Sequence, residues 1–512
     1  MNDKITTQFC DKTMSGDFNT EVSLPDYEPE IRRLLKVGAR LAPPSGFYDG
    51  SRAGVSGRII YDILYAGGDG ELYSTSAEES YELAEATKPS EKCSDRPIIL
   101  CEVRPESLVS RVVAPRKLSL KCRISGRARG FCEKELAESS TYVENPAAIR
   151  RLTGESAYLR IIAPSLCEIK VSDDINAEGG DVRVISYDAA AITEEAEPSN
   201  GRAVVKGVLH ISLLAAPAEG GEPFTLRKKI PFAEVVDADG VTPDCSCATS
   251  ICCTDLDISV EDGHIFCEAT LSVELSATEE RLSRYTKDLF STEVSSNTTE
   301  KRLEFPLSLT PISGNFSLSL RKASDEEEWL NGAEIVCSSS SAVVKNVEFD
   351  GQKPALVGEA AINLLAKSQN EYITKEFKLP FKYEFDSVCD TPMFSEWRVI
   401  PLSPTAKIEN GRLLCDCELY VSGRIFSKSA LTALDEAVFG EPLERDGEMT
   451  VCFPSPTDTA WDISKRYHVP TEAIISQNPS SFDTTLEADE SKRPTAPIIL
   501  AGKPPVAKVR RP

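Results

Sequence analysis

The sequence is poor in the residues that do chemistry near neutral pH. Histidine occurs three times in 512 residues, at His210, His264 and His468, too few and too scattered to suggest a shared acid–base centre. A G-x-S-x-G elbow, a P-loop and an H-E-x-x-H pair are all missing, so no motif positions a nucleophile, a phosphate or a catalytic zinc. Long apolar runs are missing as well. None approaches the ~20 residues needed to span a bilayer, and residues 1–20 hold no stretch suited to a signal peptide. The chain is therefore expected to stay in the cytosol that makes it, without direct membrane insertion.

Positive charge is also in short supply. Lys and Arg number 57 against 81 Asp and Glu, a formal charge of -24, which repels phosphate backbones and anionic membrane surfaces. No nucleic-acid partner is expected. The basic tip Lys503–Arg511 reads as a solvated tail.

Cysteine is plentiful, with sixteen residues, but they are spread over a large chain with no export signal and read mostly as reduced, buried, small apolar side chains. The densest group, Cys245, Cys247, Cys252 and Cys253, lacks the paired C-x-x-C spacing that sets thiolates around zinc. Neither a metal nor a cofactor is expected, and the acidic run Asp325–Glu328 reads as solvated surface rather than paired catalytic carboxylates. The chain reads as a non-enzyme.

What the sequence does contain is a threefold internal repeat. Gly57-Arg-Ile-Ile-Tyr-Asp-Ile-Leu-Tyr-Ala66 recurs as Gly207-Val-Leu-His-Ile-Ser-Leu-Leu-Ala-Ala216 and as Gly358-Glu-Ala-Ala-Ile-Asn-Leu-Leu-Ala-Lys367, at steps of 150 and 151 residues, with the apolar pairs Ile63-Leu64, Leu213-Leu214 and Leu364-Leu365 in register. A second block, aligned on Cys122, Cys267 and Cys415, follows each copy at steps of 145 and 148. Ile265, Cys267, Ala269, Leu271 and Val273 alternate with polar residues at the period of a half-buried strand. Asp262-Gly263 and Asn410-Gly411 suit tight hairpin turns, and Ala66–Gly70 and Ala218–Pro223 lie where further hairpins reverse. Neither His210 nor His264 recurs in the other copies, which excludes a catalytic histidine shared by the repeats. Pro29–Leu35 and Pro146–Leu152 are predicted as short helices. The expected fold is mainly β: three repeated antiparallel modules, sandwich or open-barrel-like.

After about residue 440 the pattern changes. Thr459-Ala-Trp-Asp462 is a capping box, followed by Ala460, Ile463, Ser464 and Tyr467 on one helix face. Pro470-Thr471 opens a second helix that Pro479 stops. Apolar runs at Met449–Phe453 and Ala496–Leu500 flank the pair, giving the order strand, helix, helix, strand. His468, at a helix end, reads as a capping residue. Trp461 reads as a core side chain, with sugar stacking or partner contact as the alternative.

Asp458-Thr459, Trp461, Ile463, Tyr467, Ile475 and Asn478-Pro479 together resemble a LysM domain. In that family two loops border a shallow groove for N-acetylglucosamine polymers, or form a protein-binding face. Carried over, the resemblance implies a partner- or glycan-binding site at Ser455, Pro456, Thr457, Asp458, Thr459, Trp461, Ile475, Asn478 and Pro479. Thr457 stands where glycine is usual, and Ser480–Pro494 lengthens the second loop. Leu24–Leu35 followed by Gly57–Ala66, with Pro231-Phe232 and Pro380-Phe381, is similar to the SPOCS domain of clostridial spore coat proteins. SPOCS repeats ending in a LysM domain are the arrangement of the SipL-type spore morphogenetic proteins. That resemblance implies a structural adaptor made in the mother cell and recruited to the forespore surface and spore coat. There its LysM domain docks onto a morphogenetic ATPase and its β modules face other coat proteins. The alternative is a peptidoglycan-binding wall or cortex protein. The expected division is a flexible N-terminus (1–19), modules at 20–145, 146–297 and 298–440, a LysM-like α+β domain at 446–503 and a basic tail at 504–512.

Overall fold

In the computed structural model, the residues described are 4–87, 97–136, 139–140, 145–176, 181–261, 263–324, 326–369, 371–389, 391–444, 449–482, 491–501 and 506–507. The chain is mainly β. Its first module contains β1 (Lys4–Ser23), β2 (Ile31–Leu41), β3 (Ser45–Tyr48), β4 (Arg52–Gly67), β5 (Leu72–Ala86), β6 (Ile98–Ala114) and β7 (Lys117–Glu135), and a short β8 (Ser139–Ser140) follows. The second contains β9 (Ile149–Asn176), β10 (Val182–Ser199), β11 (Arg202–Pro217), β12 (Phe224–Asp237), β13 (Ser246–Glu261) and β14 (His264–Ser291). The third contains β15 (Val294–Ala323), β16 (Ala333–Asp350), β17 (Lys353–Ser368), β18 (Glu371–Glu384), β19 (Pro392–Pro401), β20 (Thr405–Glu409) and β21 (Arg412–Glu444).

Each module follows one plan. A long first strand pairs with the last strand of the same module, giving β1-β7-β6, β13-β14-β9 and β15-β21-β19. Between them lies an antiparallel meander, β2-β4-β5, β10-β11-β12 or β16-β17-β18. The two sheets share a core: Ile59, Tyr61 and Ile63 of β4 pack with Leu118, Leu120 and Cys122 of β7, and the other modules repeat this with Leu209, Ile211 and Leu213 against Ile265 and Cys267, and with Ala360, Ile362 and Leu364 against Leu413 and Cys415. Each module is thus a β-sandwich.

The repeated glycine heading the first block has the same task in each copy. Gly57 lies opposite Tyr81, Gly207 opposite Phe232 and Gly358 opposite Phe381. The aromatic ring lies over the bare glycine backbone, so at Gly207 an added Cβ would come within 2.7 Å of the Phe232 ring and strike the Ile192 carbonyl oxygen. This pairing of an aromatic with a strand glycine pins the register of the meander.

The apolar pair in that block serves two cores. Ile63, Leu213 and Leu364 point into their own sandwiches, whereas Leu64, Leu214 and Leu365 point the other way and meet one another. They are joined by Leu35, Ile185 and Val336, which also stand at steps of 150 and 151 residues. The modules therefore close into a ring around a pseudo-threefold axis, a heterologous assembly within a single chain. Polar contacts recur around the ring through the equivalent Glu71, Glu222 and Glu371: Arg183 pairs with Glu71 at 3.4 Å, Lys367 with Glu222 at 2.8 Å and Arg32 with Glu371 at 3.9 Å. The Ser74 hydroxyl donates to the Ile185 carbonyl and the Thr225 hydroxyl to that of Val336, at 3.1 Å in the second case.

A second junction is charged. Arg129 of module 1 stacks over Phe394 of module 3, 4.8 Å from its centroid. Arg424 of module 3 donates to Glu396 at 2.6 Å and to the Ser276 hydroxyl of module 2 at 2.8 Å. Glu274 lies 3.8 Å from Arg398, and its Oε2 accepts no hydrogen bond among the described residues. Burial, partly offset by Arg398 and Arg424, pushes the Glu274 carboxyl from an ordinary 4.5 up to about 7.

Several expectations are corrected. Residues 4–19 are not a flexible terminus but most of β1, whose Ile5, Cys10 and Met14 are buried. Pro29–Leu35 is not helical: Ile31 and Leu35 lie on β2, where two bulges, at Ile31/Arg33 and Leu34/Lys36, let buried residues recur four apart. Pro146–Ala148 forms a single 3₁₀ turn and Ile149 already begins β9. Boundaries at 20, 297 and 440 would cut β1, β15 and β21. The second block also shifts register. The hairpin pairs Ala114↔Lys117, Glu261↔His264 and Glu409↔Arg412 align Cys122 with Ala269 and Cys417, not with Cys267 and Cys415. Gly263, Asn410 and Gly411 have the positive φ their turns require. Asp262, Asp325 and the tail, apart from β24 (Val506–Ala507), lie outside the described residues.

Two outcomes follow for the full chain. Gly207→Val, which by strand propensity alone would stabilise β11, is expected to cost about 1–3 kcal/mol in urea unfolding; a stabilised variant would contradict the aromatic–glycine packing. Because Glu274 has a folded-state pKa above its unfolded value, its favourable contribution is complete below pH 4.5 and is lost as the pH rises to about 7, a change of about 3 kcal/mol. Glu274→Gln removes this slope, so wild type should lose stability relative to the variant between pH 5 and 8. Parallel stability–pH curves would refute the assignment.

Candidate functional site

The C-terminal unit starts from β22 (Met449–Cys452), which pairs antiparallel with β23 (Ile498–Ala501), Val451 opposite Ile499. Between them lie α1 (Ala460–Tyr467) and α2 (Thr471–Gln477). Thr459 caps α1 reciprocally with Asp462: the Asp462 amide donates to the Thr459 hydroxyl at 3.2 Å, and the Thr459 amide to the Asp462 carboxylate at 2.8 Å. Helices this short are marginal alone and hold here because Cys452, Ala460, Ile463, Ile474, Phe482, Ile498 and Leu500 form their own core.

Several residues assigned to the groove have structural tasks. Asp458 accepts from the Ser455 amide at 3.0 Å and from both terminal nitrogens of Arg466 at 3.0 and 3.1 Å; the Arg466 bond holds its carboxyl below the usual range. That clamp shapes the loop carrying Ser455, Pro456 and Thr457, all exposed. Asn478 is buried and joins α2 to β23, donating to the carbonyls of Ile474 and Ile499 at 2.9 and 2.8 Å and accepting from the Ile499 amide at 2.7 Å. Ile475 packs half-buried against the small core, and Pro479 is exposed at the start of a 3₁₀ turn. No hydrogen bond joins Ser455, Pro456 or Thr457 to Asn478 or Pro479 among the described residues. Residues 483–490 of the lengthened loop lie outside the description.

Trp461 faces the chain itself. Only 4% exposed, its indole N–H donates to Asp288 on β14 at 2.9 Å, and its ring meets the edge of Phe290 at 5.1 Å. Lys465 donates to the other Asp288 oxygen at 2.6 Å and to Thr298 at 3.1 Å. His468, in left-handed conformation at the end of α1, sets its Nδ1 2.7 Å from the Ser291 carbonyl, so that nitrogen carries the proton. The α1 face is thus seated on the junction of modules 2 and 3. Asp288, Phe290 and Ser291 were missed in the sequence because nothing in strand periodicity marks a strand end as a docking point.

The strand pair also carries an exposed face. Met449, Val451 and Phe453 alternate along one face of β22, and with Ile499 opposite Val451 they form an exposed apolar stripe; Phe453 is 78% exposed. The period-2 spacing of Met449, Val451 and Phe453 was the available signal. The fifteen described cysteines are free thiols, buried or half-buried. Burial raises Cys247 to about 11 and Cys253 to about 12.

Fold and site together define a class: a pseudo-threefold ring of β-sandwiches carrying a small strand–helix–helix–strand unit. Residues 182–268 match the family described as SipL, SPOCS domain. The match covers β10 to β13 and the first residues of β14, within module 2, and supports a SipL-like, sporulation-related protein. No curated protein and no solved structure matches the chain. Among the described residues, no helix is long and apolar enough to cross a membrane.

Replacing Asp288 by Ala strands the Trp461 N–H and leaves the Lys465 ammonium with Thr298 alone, at a cost of about 1–3 kcal/mol to the contact. The C-terminal unit should then be released as a fragment by limited proteolysis several-fold faster than from wild type. An unchanged cleavage rate would show that α1 is held by other contacts.

Proposed function

We propose that this chain is a non-enzymatic structural adaptor of spore-envelope assembly. Its C-terminal, LysM-like unit docks it onto a morphogenetic ATPase at the forespore surface from the mother-cell side, and its β modules present surfaces to other coat proteins. The observation that carries this reading is the SPOCS-family match over residues 182–268. Modules 1 and 3 repeat the sheet order of module 2, which supports extending the SPOCS reading around the ring. A contact role is supported by the scatter of the histidines, with His210 on β11, His264 at the start of β14 and His468 at the end of α1.

The partner favoured is a protein rather than a glycan. Sugar recognition combines aromatic stacking with hydrogen bonds from open polar groups, yet Trp461 and Asn478 are both committed within the chain. The open surface is instead the apolar stripe of Met449, Val451, Phe453 and Ile499, the composition of a protein-contact patch.

In sporulating cells, a fluorescent fusion of the full chain should collect at the forespore. Deleting residues 446–512 should abolish that signal, and Phe453→Glu should cut it several-fold without lowering Tm. Purified full chain should show no saturable binding to chitin oligomers or peptidoglycan. Unchanged localisation of the deletion, or saturable peptidoglycan binding, would favour the wall-protein reading.

A further inference from the structure

Beside the axial leucine layer lies a half-open cavity of about 190 Å³, with walls from all three modules. Its floor is Leu64 and Leu214, and its polar wall includes Ser212 and Ser339. The space is roomy enough for a small polar molecule or several waters. Three charged side chains face it: Lys36, Asp62 and Asp188.

Asp62 is already neutralised by Arg40, which donates to both of its oxygens at 2.7 and 2.9 Å. Lys36 and Asp188 are different. Neither has a hydrogen-bond or ion-pair partner among the described residues, and they do not pair with each other. Both lie near the Cys337 thiol in the same wall, one drawing its pKa down and the other pushing it up.

The repeat sharpens the point. Lys36, Ser186 and Cys337 occupy equivalent positions in the three copies, as do Gly38, Asp188 and Ser339. In the adjoining layer the equivalent residues are all aliphatic, Leu64, Leu214 and Leu365 with Leu35, Ile185 and Val336, the solution that packing alone selects. Here the copies have diverged to give one ammonium and one carboxylate on opposite partners of the ring. Lys36 and Asp188 are each half-buried, and on the cavity wall both charges stay open to a ligand. A ligand carrying both charges satisfies the two at once, its carboxylate at Lys36 and its ammonium at Asp188, with hydroxyls alongside and an aliphatic floor beneath.

We propose that the axial cavity binds a small zwitterion, an α-amino acid with a short uncharged side chain. The inference is independent of the spore-envelope reading. Binding across the axis engages modules 1 and 2 simultaneously, so the ligand acts as a non-covalent staple of the ring.

The test uses the full chain with glycine, L-alanine, L-serine and L-valine in calorimetry and thermal unfolding, and acetate and methylammonium as half-ligands. At least one amino acid should bind saturably and, at about one hundred times its Kd, raise Tm by about 2–3 °C. The half-ligands at equal concentration should give no shift. Lys36→Gln and Asp188→Asn, which keep side-chain shape, should each weaken binding about tenfold or more while leaving the ligand-free Tm within a degree. No binding by any of the four, a full shift with acetate or methylammonium alone, or unchanged affinity in both variants would overturn the proposal.

Discussion

The ring depends on one constraint: each meander sheet has apolar side chains on both faces where it nears the axis. One face is covered by the module's own second sheet. The other, carrying Leu64, Leu214 or Leu365, has no cover within its module. Burying a leucine contributes roughly 1.5–3 kcal/mol, so each module leaves a substantial driving force unused until two others arrive. Three such faces satisfy one another around an axis, and linking the modules in one chain removes most of the entropic cost that three separate subunits would meet. The polar contacts between Glu71, Glu222 and Glu371 and the next module's cation set the rotation, but they are largely exposed and of small individual worth.

Closure also explains why the interior is not uniformly apolar. Strands from three modules converge twice, and at the second convergence the repeat-equivalent Arg129, Ser276 and Arg424 cannot all be replaced by one apolar type without unpairing Glu102, which Arg129 holds at 3.3 Å, and Glu396. A ring built from copies is free to diverge at the axis as long as each layer remains satisfied as a whole. The leucine layer kept one solution, the charged junction adopted another, and the cavity lined by Lys36 and Asp188 a third. The C-terminal unit uses the same logic outside the ring, where Asp288 gathers Trp461, Lys465 and Thr298 onto the strand ends that modules 2 and 3 leave exposed.

Much of the fold was legible because its signals are local. The glycine and the apolar pair recur since each copy must seat an aromatic over that glycine and fill two cores with that pair. Positive-φ dipeptides announce the hairpins, and the capping box at Thr459 announces α1. What escaped had non-local causes. The bulges of β2 turned a strand period into a helical one, and β1 has too few apolar positions to stand out until β7 is beside it. The Cys122 alignment failed because cysteine and leucine are interchangeable inside a sheet, whereas the hairpin fixes the true register. In the candidate site, Asp458 precedes α1 and Asn478 ends α2. The side chains of both are committed to contacts that only the tertiary structure reveals, and Trp461 is claimed by β14.

The most direct measurement of the ring is hydrogen exchange on Leu214→Ala, a change expected to cost about 2–5 kcal/mol where leucine is buried. If the axial layer couples the modules, protection falls together in β11, β4 and β17, although only module 2 is altered. Loss of protection confined to module 2, with β4 and β17 unchanged, would contradict the account and leave three independent sandwiches on a string.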